Sequence, residues 1–339
     1  MTERLVLGGT ALVVGALAAS LVPSAAPPAS QLASAGPSFT ATGLGHIPVA
    51  SARAGSEVEA RPATTRDTGL GETMRDGLIM TGATPHRLIL FTFDDGPDRR
   101  TTPLLLDRLD AAGVHAVFFL TGSRLGTDTP VLRQQSRIAR DILERGHMVA
   151  SHTYDHLQLP LLTDTEVVEQ MRRAEDAFVE IFGARPWLIR PPGGGHSARV
   201  DALLAQRGYT TVLWNIGAGD FQVRDANQVL DTWRKVYARI ESEGQRGGII
   251  LLHDTYSWSV EAFQHIFNEL QDRNCELLER GEELFDVVDD PSLFFVARGI
   301  ASPQSIAPSV NVDPAILERR QARLRSETSQ RCHSLAGRL

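Results

Sequence analysis

Cysteine is nearly missing from this chain of 339 residues. Its two cysteines, Cys275 and Cys332, are too few for a disulfide framework, and their spacing matches no zinc knuckle or redox pair. Any bound metal would therefore rest on histidine and carboxylate. The two thiols can pair if the chain is exported or stay free, and their separation of 57 residues permits both. Lysine is scarcer still: Lys235 is the single one, the other basic residues being arginine. A positive excess is also lacking. Basic residues number 34 against 41 acidic ones, giving a formal net charge of −7, so no global field draws the chain to nucleic acid. Long apolar runs are lacking beyond the amino terminus, which leaves room for one membrane segment at most. With 42% hydrophobic and 22% charged residues, the composition excludes a wholly disordered, collagen-like or coiled-coil chain. At roughly 150 residues per domain, the length allows two domains or one large α/β domain with extra segments.

The single long apolar run extends from Leu5 to Val22, near the lower length limit of a membrane-spanning helix and weakened as a helix by Gly8, Gly9 and Gly15. Small residues follow at Ser24, Ala25 and Ala26, as at a signal-peptidase site, with Pro27 directly after them. Residues 1–26 thus read as a signal peptide or a membrane anchor, and the protein as exported: secreted, periplasmic or tethered facing outward. Residues 27–85 are rich in Ala, Ser, Thr, Gly and Pro without apolar periodicity, which predicts a disordered linker.

From His86 onward, short apolar runs alternate with longer amphipathic stretches, the rhythm of βαβ units and a parallel sheet. The strands are expected at Leu88 to Phe93, Ala116 to Leu120, His147 to Ala150, Trp187 to Ile189, Thr211 to Trp214 and Ile249 to Leu252. Most are continuously apolar, as in strands covered on both faces. Helices are expected between them, and Gly113, Gly146, Gly183 and Gly208 stand where carboxy-terminal caps are wanted. This predicts one folded domain over 86–300, built as a barrel or doubly wound sheet. Ser292 to Ala297 is strand-like, and residues 301–339 form a tail, with Asp313-Pro314 opening an Arg-rich helix read as solvated, a basic contact surface being the alternative.

Polar residues gather at the carboxy-terminal ends of these runs. Leu88 to Phe93 leads into Asp94-Asp95-Gly96-Pro97, and His147 to Ala150 into His152 and His156. Trp187 to Ile189 leads into Arg190-Pro191-Pro192-Gly193-Gly194, Thr211 to Trp214 toward Asp220, and Ile249 to Leu252 into His253-Asp254. Parallel α/β folds assemble their sites at that edge, so these segments should converge. Two imidazoles and one carboxylate would form a facial set with open positions, suited to Zn²⁺, with Co²⁺ or Mn²⁺ as alternatives. A divalent ion lowers the pKa of bound water and polarises a carbonyl. One aspartate would then be ligand and the other base, a separate histidine would protonate a leaving amine, and a nearby arginine would favour the ionised base. Spacing does not say which aspartate does which. The chemistry is metal-assisted hydrolysis of an amide or ester.

These residues, in this order, resemble the polysaccharide deacetylases of the NodB-homology group, carbohydrate esterase family four, over roughly His86 to Asp290. The resemblance implies a distorted (β/α) barrel of about seven parallel strands and removal of acetyl from an N- or O-acetylated polysaccharide, releasing acetate. It implies Asp94 as base and Asp95, His152 and His156 as metal ligands. It further implies Arg190 as the group orienting the base, Asp220 as partner of the acid, and His253 as general acid. Gly193, where the family often has an aromatic residue, would lend a backbone N–H to the oxyanion. Leu251, Trp214 and Phe221 would line the substrate, Phe221 standing where the family has Trp. A carbohydrate polymer or oligomer is the implied partner. Two other readings use the same residues differently: a same-fold hydrolase of a non-sugar amide, and a catalytically silent carbohydrate-binding protein. His147 and His196 are expected to be structural or solvent-facing.

Overall fold

The computed structural model describes residues 72–73, 79–297, 306–307 and 313–336. Two short strands come first, β1 (Glu72–Thr73) and β2 (Ile79–Met80). They are followed by β3 (Leu88–Asp94), α1 (Thr101–Ala112), β4 (Val117–Leu120), α2 (Pro130–Glu144), β5 (Met148–Ser151) and α3 (Asp164–Phe182). The second half runs β6 (Leu188–Ile189), α4 (Ala198–Gln206), β7 (Thr210–Val212), β8 (Ile216–Gly217), α5 (Ala226–Ser242), β9 (Gly248–His253) and α6 (Ser257–Glu279). The last elements are β10 (Asp286–Val287), β11 (Val296–Ala297), β12 (Ile306–Ala307) and α7 (Pro314–Ala336).

Ten strands form one sheet in the order β12-β2-β7-β6-β5-β4-β3-β9-β8, with β10 beside the start of β3, and its pairs are parallel. The path has two ends, so the expected distorted (β/α) barrel is a curled half-barrel. Its parallel direction puts every strand's carboxy-terminal end on one rim.

Local chemistry accounts for the helices that flank this sheet. Thr163 starts α3 with a capping box, its hydroxyl taking the Glu166 N–H while Glu166 takes the Thr163 N–H. Asp225 caps α5 by accepting from the N–H groups of Asn227 and Gln228, and Thr129 caps α2 ahead of Pro130. Gly113 and Gly183 end α1 and α3 in the left-handed region, as the sequence leads one to expect.

Strand periodicity then sorts the side chains. On β3, Ile89, Phe91 and Phe93 pack outward with Leu105, Leu109 and Phe263 of the helices, whereas Leu88 and Leu90 join Val117, Phe119 and Ile249 inside the half-barrel. Residues two apart share a face, so Thr92 and Asp94 continue the inner row. His152 continues the inner row of Ala150, and His253 that of Ile249 and Leu251.

Several boundaries differ from the expectation. The sheet already includes Ile79–Met80, paired with β7, and Thr84 bridges Gly247, so ordered structure begins within the stretch read as linker. A two-residue strand carries no periodicity to detect, and β8 escaped for the same reason. The apolar Ser292 to Ala297 segment is a 3₁₀ turn over Pro291–Phe295 followed by β11. The tail helix is docked rather than solvated. In α7, Arg320 donates to both oxygens of Asp286 at 2.6 and 2.8 Å and to Asp289 at 2.8 Å, and Gln321 pairs with the backbone of Leu284. Cys275 of α6 and Cys332 of α7 form a disulfide with a Cα–Cα distance of 6.0 Å. Tertiary partners, invisible to an apolar count, hold this helix. The signal or anchor segment, residues 1–26, lies outside the described residues. Among the described residues, no helix is long and apolar enough to cross a membrane.

Candidate active site

Register brings the first two groups together. Asp94 and His253 are direct partners across the parallel β3–β9 pair, both on the inner face at the carboxy-terminal rim. One residue past Asp94, the chain turns with Asp95 at φ 77°, so Asp95 leaves the strand and faces the loop after β5. That loop is also bent hard: Thr153 and His156 have φ of 66° and 59°. Left-handed backbone is costly for side-chain-bearing residues, above all for β-branched threonine, and such conformations gather at functional sites.

The bends bring Asp95, His152 and His156 together, one potential ligand atom from each lying within 4.8 Å of the others. Asp95 Oδ1 stands 3.4 Å from His152 Nε2 and 3.1 Å from His156 Nε2, yet this buried oxygen has no hydrogen bond. His152 Nδ1 lies 2.7 Å from the Arg190 carbonyl oxygen, which only accepts, so Nδ1 carries hydrogen and Nε2 is the atom turned toward Asp95. Two imidazole nitrogens facing one buried carboxylate oxygen are a donor set that fits a cation. The second imidazole nitrogen fixed by a carbonyl is the outer support that metal-ligating histidines use. Burial raises the Asp95 pKa, but the two imidazoles outweigh it and hold this carboxyl far below the ordinary range. Asp95 in turn raises His156.

Asp94 is held differently. Its Oδ1 accepts from Arg190 Nη1 at 2.7 Å, while Oδ2 faces His152 Nε2 at 3.8 Å. Arg190 is fully enclosed, and all its nitrogens are engaged: Nε with Val212 O and Nη2 with Leu213 O, both at 3.0 Å, and Nη1 also with Thr92 Oγ1 at 2.8 Å. Phe119 lies under its guanidinium at 4.1 Å. The arginine is a fixed brace.

On the other side of Asp94, His253 Nδ1 pairs with Asp220 Oδ1 at 2.9 Å, and Asp220 Oδ2 accepts from the His253 N–H at 2.7 Å. Ser259 and Trp258 donate to the same aspartate, from Oγ at 2.5 Å to Oδ2 and from Nε1 at 2.7 Å to the carbonyl. A carboxylate on Nδ1 leaves Nε2 for the site. Burial lowers the His253 pKa; the Asp220 hydrogen bond and the charges of Asp220, Asp94 and Asp95 outweigh it and push it up to about 9.

Of the expected substrate-lining residues, Phe221 is exposed with its ring 5.9 Å from that of His253, Leu251 is buried one inner-face step below His253, and Trp214 lies against Gly194. Gly193 turns with φ 61°. His147 is buried and accepts the Ala116 N–H, and His196 pairs with Asp201; neither joins the site. Sequence reasoning missed Tyr256, whose ring lies 5.6 Å from His253 and stacks on Trp258 at 4.8 Å. It gave no role to Thr92, which the two-residue period from Asp94 could have flagged, or to Asp254, which it placed at the rim beside His253. Asp254 is wholly buried, accepts from Thr102 Oγ1 at 2.6 Å, and is pushed up to about 7, chiefly by burial. A separate cleft of about 870 Å³ between α5 and α6, lined by Arg87, Arg234, Glu269 and Arg273 among others, contains none of the residues above.

A carboxylate and two imidazoles thus stand beside a braced aspartate and an oriented histidine on the rim of a parallel half-barrel, an arrangement chemically suited to metal-assisted hydrolysis. The polysaccharide deacetylase family profile matches residues 81–212, which hold Asp94, Asp95, His152, His156 and Arg190. The chain is 32% identical over 193 residues to a peptidoglycan-N-acetylmuramic acid deacetylase of Bacillus subtilis, an alignment covering 57% of this chain and 38% of that protein. It is 30% identical over 217 residues to a peptidoglycan-N-acetylglucosamine deacetylase of Listeria monocytogenes, covering 61% and 43%. Among solved structures, the chitin deacetylase of Colletotrichum lindemuthianum superposes with a TM-score of 0.51 at 26% identity, over 58% of this chain and 87% of that one. The chain is thus similar to polysaccharide deacetylases in its half-barrel and its rim residues, and the profile match is confined to residues 81–212. It spans about two-fifths of the length of the bacterial relatives.

Proposed function

We propose that the protein is an exported, metal-dependent hydrolase that removes acetyl groups from an N-acetylated polysaccharide of the cell-wall type, releasing acetate. One observation carries the reading: the buried, unbonded Asp95 Oδ1 facing two imidazole nitrogens, with Asp94 and His253 beside it. Asp95, His152 and His156 would hold the ion, most suitably Zn²⁺ for two nitrogen ligands and one oxygen ligand. Bound there, it would supply Lewis acidity to the attacking water and to the acetyl carbonyl.

The chain's own residues do the rest. Asp94 Oδ2 takes the proton of the attacking water while Arg190 holds Oδ1 in place. The Gly193 N–H offers a hydrogen bond to the oxyanion as the carbonyl carbon becomes tetrahedral. His253, kept protonated by Asp220, delivers a proton from Nε2 to the sugar nitrogen as the C–N bond breaks, leaving acetate and a free amine. Phe221, Leu251 and Trp214 give the substrate apolar surface. Export is supported by the Cys275–Cys332 disulfide, since such bonds persist in oxidising compartments, and by the apolar run at Leu5 to Val22. Peptidoglycan and chitin, which the relatives' names mention, are the substrates to try first.

The test is acetate release from peptidoglycan and from chitooligosaccharide by the purified protein, its loss on chelation and its return with Zn²⁺. Saccharide binding without acetate release under all these conditions would overturn the catalytic reading.

A further inference from the structure

The Gly193–Gly194–Gly195 turn lies bare between two side chains. A β-carbon added at Gly193 would fall 2.8 Å from Gln158 Nε2, and one at Gly195 would fall 2.6 Å from Gln158 Oε1. On the opposite flank, a β-carbon at Gly194 would fall 2.9 Å from Trp214 Cη2. The space that a side chain at residue 193 would fill is thus taken by the Gln158 amide, reached from the loop that carries His156.

That amide is both held and free. Arg199 clamps the loop, donating to the carbonyls of Pro160 and Leu162 at 3.2 and 2.8 Å and to Asp164 at 2.6 Å. The Gln158 carbonyl accepts from the Leu161 N–H at 3.0 Å. Among the described residues its side chain makes no hydrogen bond, and the residue is exposed two positions past His156. Two N–H donors and one acceptor oxygen therefore stand unused beside the glycine turn, two residues along the chain from His156.

We infer that Gln158 is a specificity-determining residue of this site: its amide hydrogen-bonds an exocyclic hydroxyl or amide oxygen of the N-acetylated sugar, while Trp214 meets the ring from the other flank. The inference rests on the deacetylase reading. A polar reader in this place favours sugars that present matching groups, because a site built to bond a substituent discriminates strongly against substrates lacking it.

Gln158→Met keeps the side-chain length without its hydrogen bonds, and Gln158→Ala removes it. Initial rates of acetate release from the N-acetylglucosamine tetramer and from peptidoglycan, with zinc affinity by calorimetry, test the assignment. On a polymer that the wild type deacetylates, both variants should raise KM about tenfold, move kcat less than about threefold, and leave zinc affinity within about twofold. Unchanged KM in both variants would refute the inference and leave the deacetylase reading standing. Zinc affinity falling in step with catalysis would also refute it, by showing that Gln158 only supports the His156 loop. A wild type that deacetylates neither polymer would remove the deacetylase reading and this inference together.

Discussion

Arg190 donates to Asp94 Oδ1 at 2.7 Å in a place where the arginine has no exposed surface and the aspartate almost none. The pair is also the junction of the site, because the Arg190 carbonyl oxygen fixes His152. One residue therefore braces the proposed base through its side chain and a proposed ligand through its backbone. Breaking such a pair by removing one partner strands a buried charge. The informative substitutions at Asp94 are accordingly those that keep its shape.

Asp94→Asn is expected to keep the fold and zinc binding while lowering turnover about 10²- to 10⁴-fold, the usual contribution of a positioned general base. Acetate assays and calorimetry on the same preparation separate the two effects. A rate within tenfold of wild type would remove Asp94 from the role of base.

Against burial, the Asp220 hydrogen bond and the surrounding carboxylates push His253 up from 6.5 to about 9. A raised pKa means that the folded state holds the proton more tightly. The resulting stabilisation is full below about 6.5 and is lost as pH climbs through about 9. Asp220→Asn removes the main partner that outweighs burial, so the His253 titration should move down toward or below the ordinary value. NMR titration of its ring protons in chelated protein measures this directly, and a midpoint still near 9 would exclude Asp220 as the cause.

Gly96→Ala probes the turn between Asp95 and the cis Gly96–Pro97 bond. Its new β-carbon would fall 2.1 Å from Asp254 Oδ2 and 2.5 Å from Oδ1, and Asp254 is enclosed and tied to Thr102. The turn has to shift, with an expected loss of about 1–3 kcal/mol by urea denaturation and weakened zinc binding. Gly113→Ala is the comparison: its β-carbon meets nothing within 4 Å, so only the positive φ of 65° costs stability, about 1–2 kcal/mol, with zinc affinity intact. Equal zinc affinity in both variants would argue against the turn as support for Asp95.

Replacing Cys275 and Cys332 by serine opens a closed loop of 57 residues. Chain entropy sets the expected destabilisation at up to about 4 kcal/mol. Limited proteolysis should then cut α7 first, because what remains is a set of side-chain ties from Arg320, Gln321, Arg323 and Arg325 and the packing of Ile316 and Leu324. An unchanged urea midpoint and cleavage pattern would mean that those contacts alone hold the helix.

Much of this was legible in advance where the signal was periodic. Leu88 to Phe93 and Ile249 to Leu252 read as covered strands because apolar runs need burial on both faces, and their polar ends fall on the shared rim. Other features had no local signal. Ile79–Met80 is too short to show a period, so the sheet begins inside the stretch read as linker. The α7 helix read as solvated because its apolar anchors are few, Ile316, Leu317 and Leu324, and most of its other ties are polar or covalent. Tyr256 and Gln158 reach the site from loops, where composition says nothing of direction.

From its residues alone the chain dictated the parallel α/β rhythm and the set of candidate groups at strand ends, since both follow from side-chain chemistry and a two-residue repeat. Folding decided which nitrogen faces Asp95, which carboxylate Arg190 braces, and what fills the space beside Gly193. These depend on left-handed turns at Asp95, Thr153 and His156 and on contacts between residues far apart in the chain, which no linear pattern encodes.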